Sequence, residues 1–361
     1  MKLGSYMMIA SLLVAQAAFA QKPDSTQEAI NAAAAARIAV RGFERPPLPL
    51  QANEVVKLDP ELDRLIAPGV NVETLAGGFN ATEGPMWREG KLWVSDQRND
   101  QIIALDAKGN KTVIADNTGW QYDPAIVVNQ GPNAQVPDKG GAVLVMRQGF
   151  RDVSRFTRDG KFISVISTFE GKRLNSPNDM VYAPDGTLFF TDPAYSLPGG
   201  MNGPNSELHF EGVFSYKDGK LQAAVKDLTR PNGIAVSPDG KTLYVSTGSP
   251  SPRIKAYDIQ TDGTVSNGRD FYIWPLAPGQ RGGVDGMKID VWGDLWAVGV
   301  GGVSVITKDG KNLGLIQIAG HTASNVAFGG PDNKTVFFTG GNWVYRIQTL
   351  VEGERPLYQR P

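Results

Sequence analysis

The sequence predicts an all-β protein, a six-bladed β-propeller carried behind an N-terminal extension that contains a short helix. Three observations carry that reading. Of 361 residues, 42 are glycine and 24 are proline, which favours many turns and short strands over helices. From about residue 70 onward, apolar and polar residues alternate with period two between turn signals. Finally, six similar segments recur: LWVSD at 92–96, VLVMR at 143–147, LFFTD at 188–192, LYVST at 243–247, LWAVG at 295–299 and VFFTG at 336–340. Their starts lie 41 to 55 residues apart, and five follow a turn-like stretch such as REGK, PDGT or PDGK. Repeats of several short strands at that period are the mark of propeller blades.

In chain order, residues 1–20 read as an export signal. Lys2 supplies the positive charge, MMIASLLVAQAA the apolar run, and Ala18-Phe19-Ala20 the cleavage site. The run is too short to span a bilayer, so a periplasmic or secreted protein without a membrane anchor is expected. Residues 21–65 form an arm: a capping box at Ser25-Thr26-Gln27-Glu28, the helical stretch AINAAAAARIAVR, then Gly42 and the extended FERPPLPLQ.

The propeller occupies residues 66–361. Each blade is expected to hold four strands; in the fourth they are NGIAVSP, TLYVSTG, RIKAYDI and GRDFYIW. The sixth blade is one strand short at the C-terminal end. NVETLAGGF, at 71–79, would complete it and close the ring, leaving no strand edge at that seam free to pair with other chains.

Composition excludes several functions. A formal net charge of -1 with no basic stripe argues against nucleic-acid binding, and the absence of cysteine rules out disulfides.

In a propeller the first strand of each blade lines the central channel, so residues at the entrances of those strands converge. Glu83 (EGPMW), Asn178 (NDMVY), Asn232 (NGIAV) and Asp285 (DGMKI) stand at four such entrances. Taken singly, Asn-Gly and Asp-Gly are ordinary turn dipeptides. Taken together, two carboxylates and two amide carbonyls make an all-oxygen set suited to a divalent cation. Ca²⁺ fits best and Mg²⁺ or Mn²⁺ less well; Zn²⁺ fits least, since the chain has two histidines.

These residues carry a resemblance. EGKRLNSPNDMVYAPDGTLFFTDPAYSLPG is similar to the most characteristic segment of the SMP-30/gluconolactonase/LRE family. EGPMW…LWVSD, LTRPNGIAVSPDGKTLYVST, VDGMKIDVWGDLWAVG and SNVAFGG…TVFFTG resemble its other blade motifs in the same order, over roughly residues 70–347. The resemblance implies a six-bladed propeller, a divalent cation in the channel, usually calcium, and hydrolysis of a small-molecule lactone or related ester. Carried over by motif, Glu83, Asn232 and Asp285 resemble the metal ligands, and Asn178 the residue facing both metal and substrate. Asp285 also resembles the general base.

The chain departs from that pattern in the second blade. Many bacterial members carry an acidic residue and a histidine ahead of a glycine there; this chain has Met146-Arg147-Gln148-Gly149. Gln148 can hydrogen-bond but cannot act as acid or base, and Arg147 brings a positive charge that would favour an anionic lactone. Near this point Asn133, rather than Asn129, is expected to face substrate. PAYSLPGGMNGPNSELHFEG is long enough to fold over the channel mouth as a lid, bringing Tyr195 to the substrate. His209 and His321 read as structural, and no GxSxG element indicates a serine hydrolase. Two other readings remain at this point: a ligand-binding propeller with a structural calcium, and a hydrolase of another ester or an organophosphate.

Overall fold

The computed structural model describes residues 53–119, 131–248, 251–277, 282–318 and 322–359. The expected export signal and the helix of the arm lie outside the described residues, as do Asn129 and His321.

The repeats fold as expected, into six antiparallel sheets of four or five strands. Blade 1 runs through Thr82–Arg88, Lys91–Asp96, Gln101–Leu105 and Lys111–Asp116. Blade 2 comprises Pro132–Pro137, Val143–Arg147, Asp152–Phe156 and Phe162–Ile166. Blade 3 is Met180–Tyr182, Leu188–Asp192, Glu211–Lys217 and Lys220–Leu228, and blade 4 is Pro231–Val236, Thr242–Thr247, Arg253–Ile259 and Val265–Ile273. Met287–Ile289, Leu295–Gly299, Gly302–Ile306 and Asn312–Gln317 build blade 5. The PDG turns explain the tight hairpins between first and second strands. Asp185 caps the amide of Thr187 at 3.0 Å while Gly186 takes a φ of 86°, which glycine adopts without penalty.

Blade 6 closes the ring. Its strands Asn325–Gly329, Thr335–Gly340 and Trp343–Gln348 come from the C-terminal end. The fourth, Glu73–Gly77, pairs antiparallel with Trp343–Gln348, as 71–79 predicted. Each inner strand packs beside that of the next blade, and the sixth returns to the first. Between blades the faces are apolar: Trp87 stacks on Phe337 at 5.5 Å across the closing seam, and Phe189, Ile234, Val236 and Val245 share one cluster between blades 3 and 4.

The boundary expected at residue 65 needs correction. Glu54–Lys57 adds a fifth strand to blade 5, pairing with Asn312–Gln317, and a 3-10 turn at Pro60–Arg64 follows it. Leu62, Leu65 and Ile66 are buried in the cluster that also holds Trp296, Val326 and Phe338. The local pattern reads FERPPLPLQ and its sequel as part of an extended arm; the unpaired edge of blade 5 and an apolar seam draw residues 54–66 into the ring.

After its last strand the chain crosses the ends of the inner strands remote from their entrances. The Glu354 amide donates to the Ile289 carbonyl at 3.0 Å, the Tyr358 ring meets Tyr182 edge-on at 5.0 Å, and Gln359 Nε2 donates to the Trp87 carbonyl. Blades 5, 3 and 1 are thereby tied together at that end.

Candidate functional site

The site is built from the six inner-strand entrances, and a local break in the sheet ladder marks most of them. In blades 1, 2 and 4 the register slips between Glu83 and Met86, Pro132 and Gln135, and Pro231 and Ile234. In blades 3 and 5 the inner strand begins only at Met180 and Met287, two residues beyond Asn178 and Asp285. Irregularities of this kind re-aim side chains away from the pleat. Glu83, Asn133, Asn178, Asn232 and Asp285 therefore occupy equivalent positions in successive blades.

The glycines that follow these residues are clearances rather than ordinary turn residues. A Cβ on Gly84 would stand 2.1 Å from the Asn133 carbonyl oxygen, and one on Gly233 would stand 2.3 Å from that of Asp285. A Cβ on Gly286 would meet the side chain of Asn325 at 2.0 Å. Small residues here let neighbouring blades approach closely around the channel.

Glu83 is buried, and its Oε2 accepts the Gly84 amide at 2.9 Å and Asn325 Nδ2 at 3.2 Å. Burial, with the charge of Asp179, pushes its carboxyl up to about 7 against those two hydrogen bonds. Asp285 is pushed well above the usual carboxylate range, first by burial and then by the charges of Glu83 and Asp179. The Glu83 charge thus lies close enough to oppose the ionisation of Asp285, an arrangement that a cation relieves.

The amides complete the set. Asn232 Nδ2 donates to the Val284 carbonyl at 3.3 Å, which fixes the amide, while its buried Oδ1 has no hydrogen-bond partner among the described residues. Asn133 Oδ1 is buried and partnerless in the same way. Asn178 is buried and held by its backbone, donating to the Thr191 carbonyl at 3.0 Å and accepting the Ala134 amide at 3.2 Å. Unsatisfied buried carbonyl oxygens beside crowded carboxylates are what a divalent cation with oxygen ligands requires. Among the described residues no three His, Cys, Asp or Glu side chains form a metal-binding group; this donor set is half amide.

Other expected substrate contacts fare differently. Arg147 forks onto Asp152, with Nε at 3.0 Å and Nη2 at 2.8 Å, and its guanidinium packs over Phe150 and Phe162. Its charge is matched inside blade 2, so the argument for an anionic lactone finds no free cation there. Gln148 is fully buried, and its Oε1 accepts Gln97 Nε2 at 3.5 Å. Tyr195 lies against the site: burial, and after it the charge of Asp285, raises its phenol. Its hydroxyl donates to the Arg230 carbonyl at 3.0 Å, while the exposed Arg230 guanidinium sits 4.9 Å from its ring centre.

The segment expected to act as a lid is bonded down as a wall. Glu207 accepts the Arg173 amide at 2.9 Å, Asn175 Nδ2 reaches the Phe210 carbonyl at 2.9 Å, and Glu211 accepts the Ala194 amide at 2.8 Å. His209 is exposed within it. A groove of about 380 Å³ between blades 1 and 2, lined by Arg88, Trp93, Phe156 and Arg158 among others, gathers none of the entrance residues.

Three polar residues near the site escaped the sequence reading: Asp179, Lys288 and Asn325. Lys288 Nζ lies 3.8 Å from Asp179 Oδ2. Each stands one to three residues beyond an entrance position, in NDMVY, DGMKI and SNVAF, so the repeat alignment carried the signal.

Comparison with known proteins agrees with the fold. The SMP-30/Gluconolactonase/LRE-like region matches residues 81–342. The chain belongs to this family. Within the SMP-30/gluconolactonase/LRE-like family, a gluconolactonase of Zymomonas mobilis is 31% identical over 311 residues, covering 83% of this chain and 87% of its own. A solved gluconolactonase of Xanthomonas campestris superposes with a TM-score of 0.70 at 30% identity, over 84% of this chain and 98% of its own. A diisopropyl-fluorophosphatase of Loligo vulgaris is 27% identical, over 71% of this chain and 80% of its own.

Proposed function

We propose that the protein is an exported, divalent-cation-dependent hydrolase that opens a lactone ring, with Ca²⁺ as the ion. The observation that supports this most is the placing of Glu83 beside Asp285, whose carboxyl burial and then the Glu83 charge hold up, together with the partnerless carbonyl oxygen of Asn232. Glu83, Asn178, Asn232 and Asp285 would hold the ion. Bound there, it supplies Lewis-acid polarisation of the lactone carbonyl and charge stabilisation on its oxygen.

The side chains do the rest. Asp285 orients a water molecule and takes its proton as the water oxygen bonds to the carbonyl carbon. The ring C–O bond then breaks, the proton passes to the departing alkoxide, and a hydroxy acid results. Asn178 faces the substrate beside this centre. Tyr195 and Arg230 form one wall, and Asn133 presents its Oδ1 from blade 2. Export rests on the signal at residues 1–20, which supports a periplasmic or secreted location.

The test uses the purified mature chain, stripped of metal by a chelator and assayed on a panel of sugar lactones with and without Ca²⁺. Turnover restored by Ca²⁺, and reduced about 10²- to 10⁴-fold in Asp285→Asn, is the expected result. Ca²⁺ binding with no turnover of any lactone or ester would instead make the protein a binder. Turnover confined to organophosphates would move the substrate class toward that of the Loligo relative.

A further inference from the structure

We propose that Asn325, from the sixth blade, is a positioning residue that locks one oxygen of Glu83 so that the other faces the ligand. The inference rests on the reading that the site holds a divalent cation. Both hydrogen bonds to the Glu83 carboxylate fall on Oε2, from the Gly84 amide at 2.9 Å and from Asn325 Nδ2 at 3.2 Å. Two donors on one oxygen fix the rotation of the carboxylate and leave Oε1 as the oxygen to meet an ion.

Asn325 is itself held. It is buried, its Oδ1 accepts the Val326 amide at 2.8 Å, and its backbone N–H donates to Thr339 Oγ1 at 3.1 Å. The bond to Oδ1 settles which way the amide points, so the nitrogen faces the carboxylates. Asp179, from blade 3, lies beside these groups, its carboxyl held up by burial, with Lys288 Nζ 3.8 Å from its Oδ2. The Lys288 ammonium, from blade 5, balances charge beside acids from blades 1 and 3.

Gly286 points the same way from a second observation. The place its Cβ would take is filled by the Asn325 amide, at 2.0 Å. The residue after Asp285 is small so that Asn325 can reach across to Glu83. Partners of metal ligands typically set affinity by 10- to 100-fold, through the orientation they impose.

The experiment is a calorimetric titration of the metal-free full-length protein with Ca²⁺, for the wild type, Asn325→Ala, Asn325→Gln and Gly286→Ala. The second variant keeps a buried amide but moves its nitrogen; the third displaces Asn325 without altering it. The expected result is a Kd weakened about 10- to 100-fold in each folded variant. Where lactone turnover is measurable, more Ca²⁺ should be needed for half-activation of the Asn325 variants while their kcat at saturating Ca²⁺ stays near wild type. An unchanged Kd in a folded Asn325 variant overturns the proposal, whatever its melting temperature. Wild type that binds no Ca²⁺ overturns this proposal and the metal reading together. Wild type that binds Ca²⁺ but turns over no lactone overturns only the hydrolase, and the Kd comparison still decides the role of Asn325.

Discussion

The Ser246 hydroxyl donates to the main-chain carbonyl of Asp285 at 3.0 Å while accepting the Gly233 amide at 2.8 Å. One buried side chain in blade 4 thus fixes the backbone of the entrance residue in blade 5. The same latch joins other blades: Ser95 to the Asn133 carbonyl at 2.6 Å, and Thr191 to that of Asn232 at 2.7 Å. Across the closing seam, Ser324 reaches the Thr82 carbonyl at 2.8 Å.

Ser246→Ala should therefore cost about 1–3 kcal/mol of stability, because it leaves the buried Gly233 amide without its hydroxyl partner and frees the part-buried Asp285 carbonyl. Urea unfolding measures this. Turnover should fall as well, since the backbone of Asp285 loses its anchor. A variant as stable as wild type would show that the latch contributes nothing.

Gly233→Ala separates clearance from turn chemistry. If the Asn-Gly dipeptide served only as a turn, one methyl group would be tolerated. With the Asp285 carbonyl 2.3 Å from the added carbon, the two blades must part locally. Weaker Ca²⁺ binding, with most of the stability kept, is the expected outcome by calorimetry and thermal melting.

Removal of the cation should lower the melting temperature. An ion held only by the folded protein stabilises it by about 2.7 kcal/mol at a hundredfold excess over Kd. Melts in chelator and in Ca²⁺ read the shift directly, and Asp285→Asn should shrink it. Equal melting in both conditions would mean that the four oxygens hold no ion.

Asp192 gives the fold a pH dependence away from the entrance residues. It is fully buried, accepts the Asn175 amide at 2.8 Å, and burial pushes it up to about 7 despite the nearby Arg151. The folded protein thus holds a proton that the unfolded chain releases near pH 3.8. The stability this contributes is complete below the unfolded value and is lost as pH rises through 7, at about 1.4 kcal/mol per pH unit. Melts of wild type against Asp192→Asn should diverge in the variant's favour as pH rises to about 7, then run parallel. A constant gap would mean that Asp192 ionises normally.

Much of the ring was legible in the sequence because its signals are local and repeated. The PDG turns, the alternation of strands such as LYVST and the missing sixth-blade strand each follow from short-range chemistry. Four entrance residues were legible for the same reason. What escaped depends on contact across blades. Asn325 matters through Glu83, 242 residues away, and Gly286 through the amide that fills its Cβ position. The positive charge of Arg147 read as an exposed cation; its partner Asp152, five residues on, cancels it across a hairpin. The fourth position of the repeats held the latches Ser95, Thr191 and Ser246, a hydroxyl pattern visible in LWVSD, LFFTD and LYVST but read as sheet.

The strand Glu73–Gly77 finds its partner only in Trp343–Gln348, and Glu83 finds Asn325 only across that same seam. During synthesis Glu73–Gly77 and Glu83 must therefore wait for nearly the whole chain before these partners exist. A chain that ends before blade 6 carries five blade motifs but lacks Asn325 and the partner of Glu73–Gly77. Turnover is therefore expected to appear on completion of the ring rather than blade by blade.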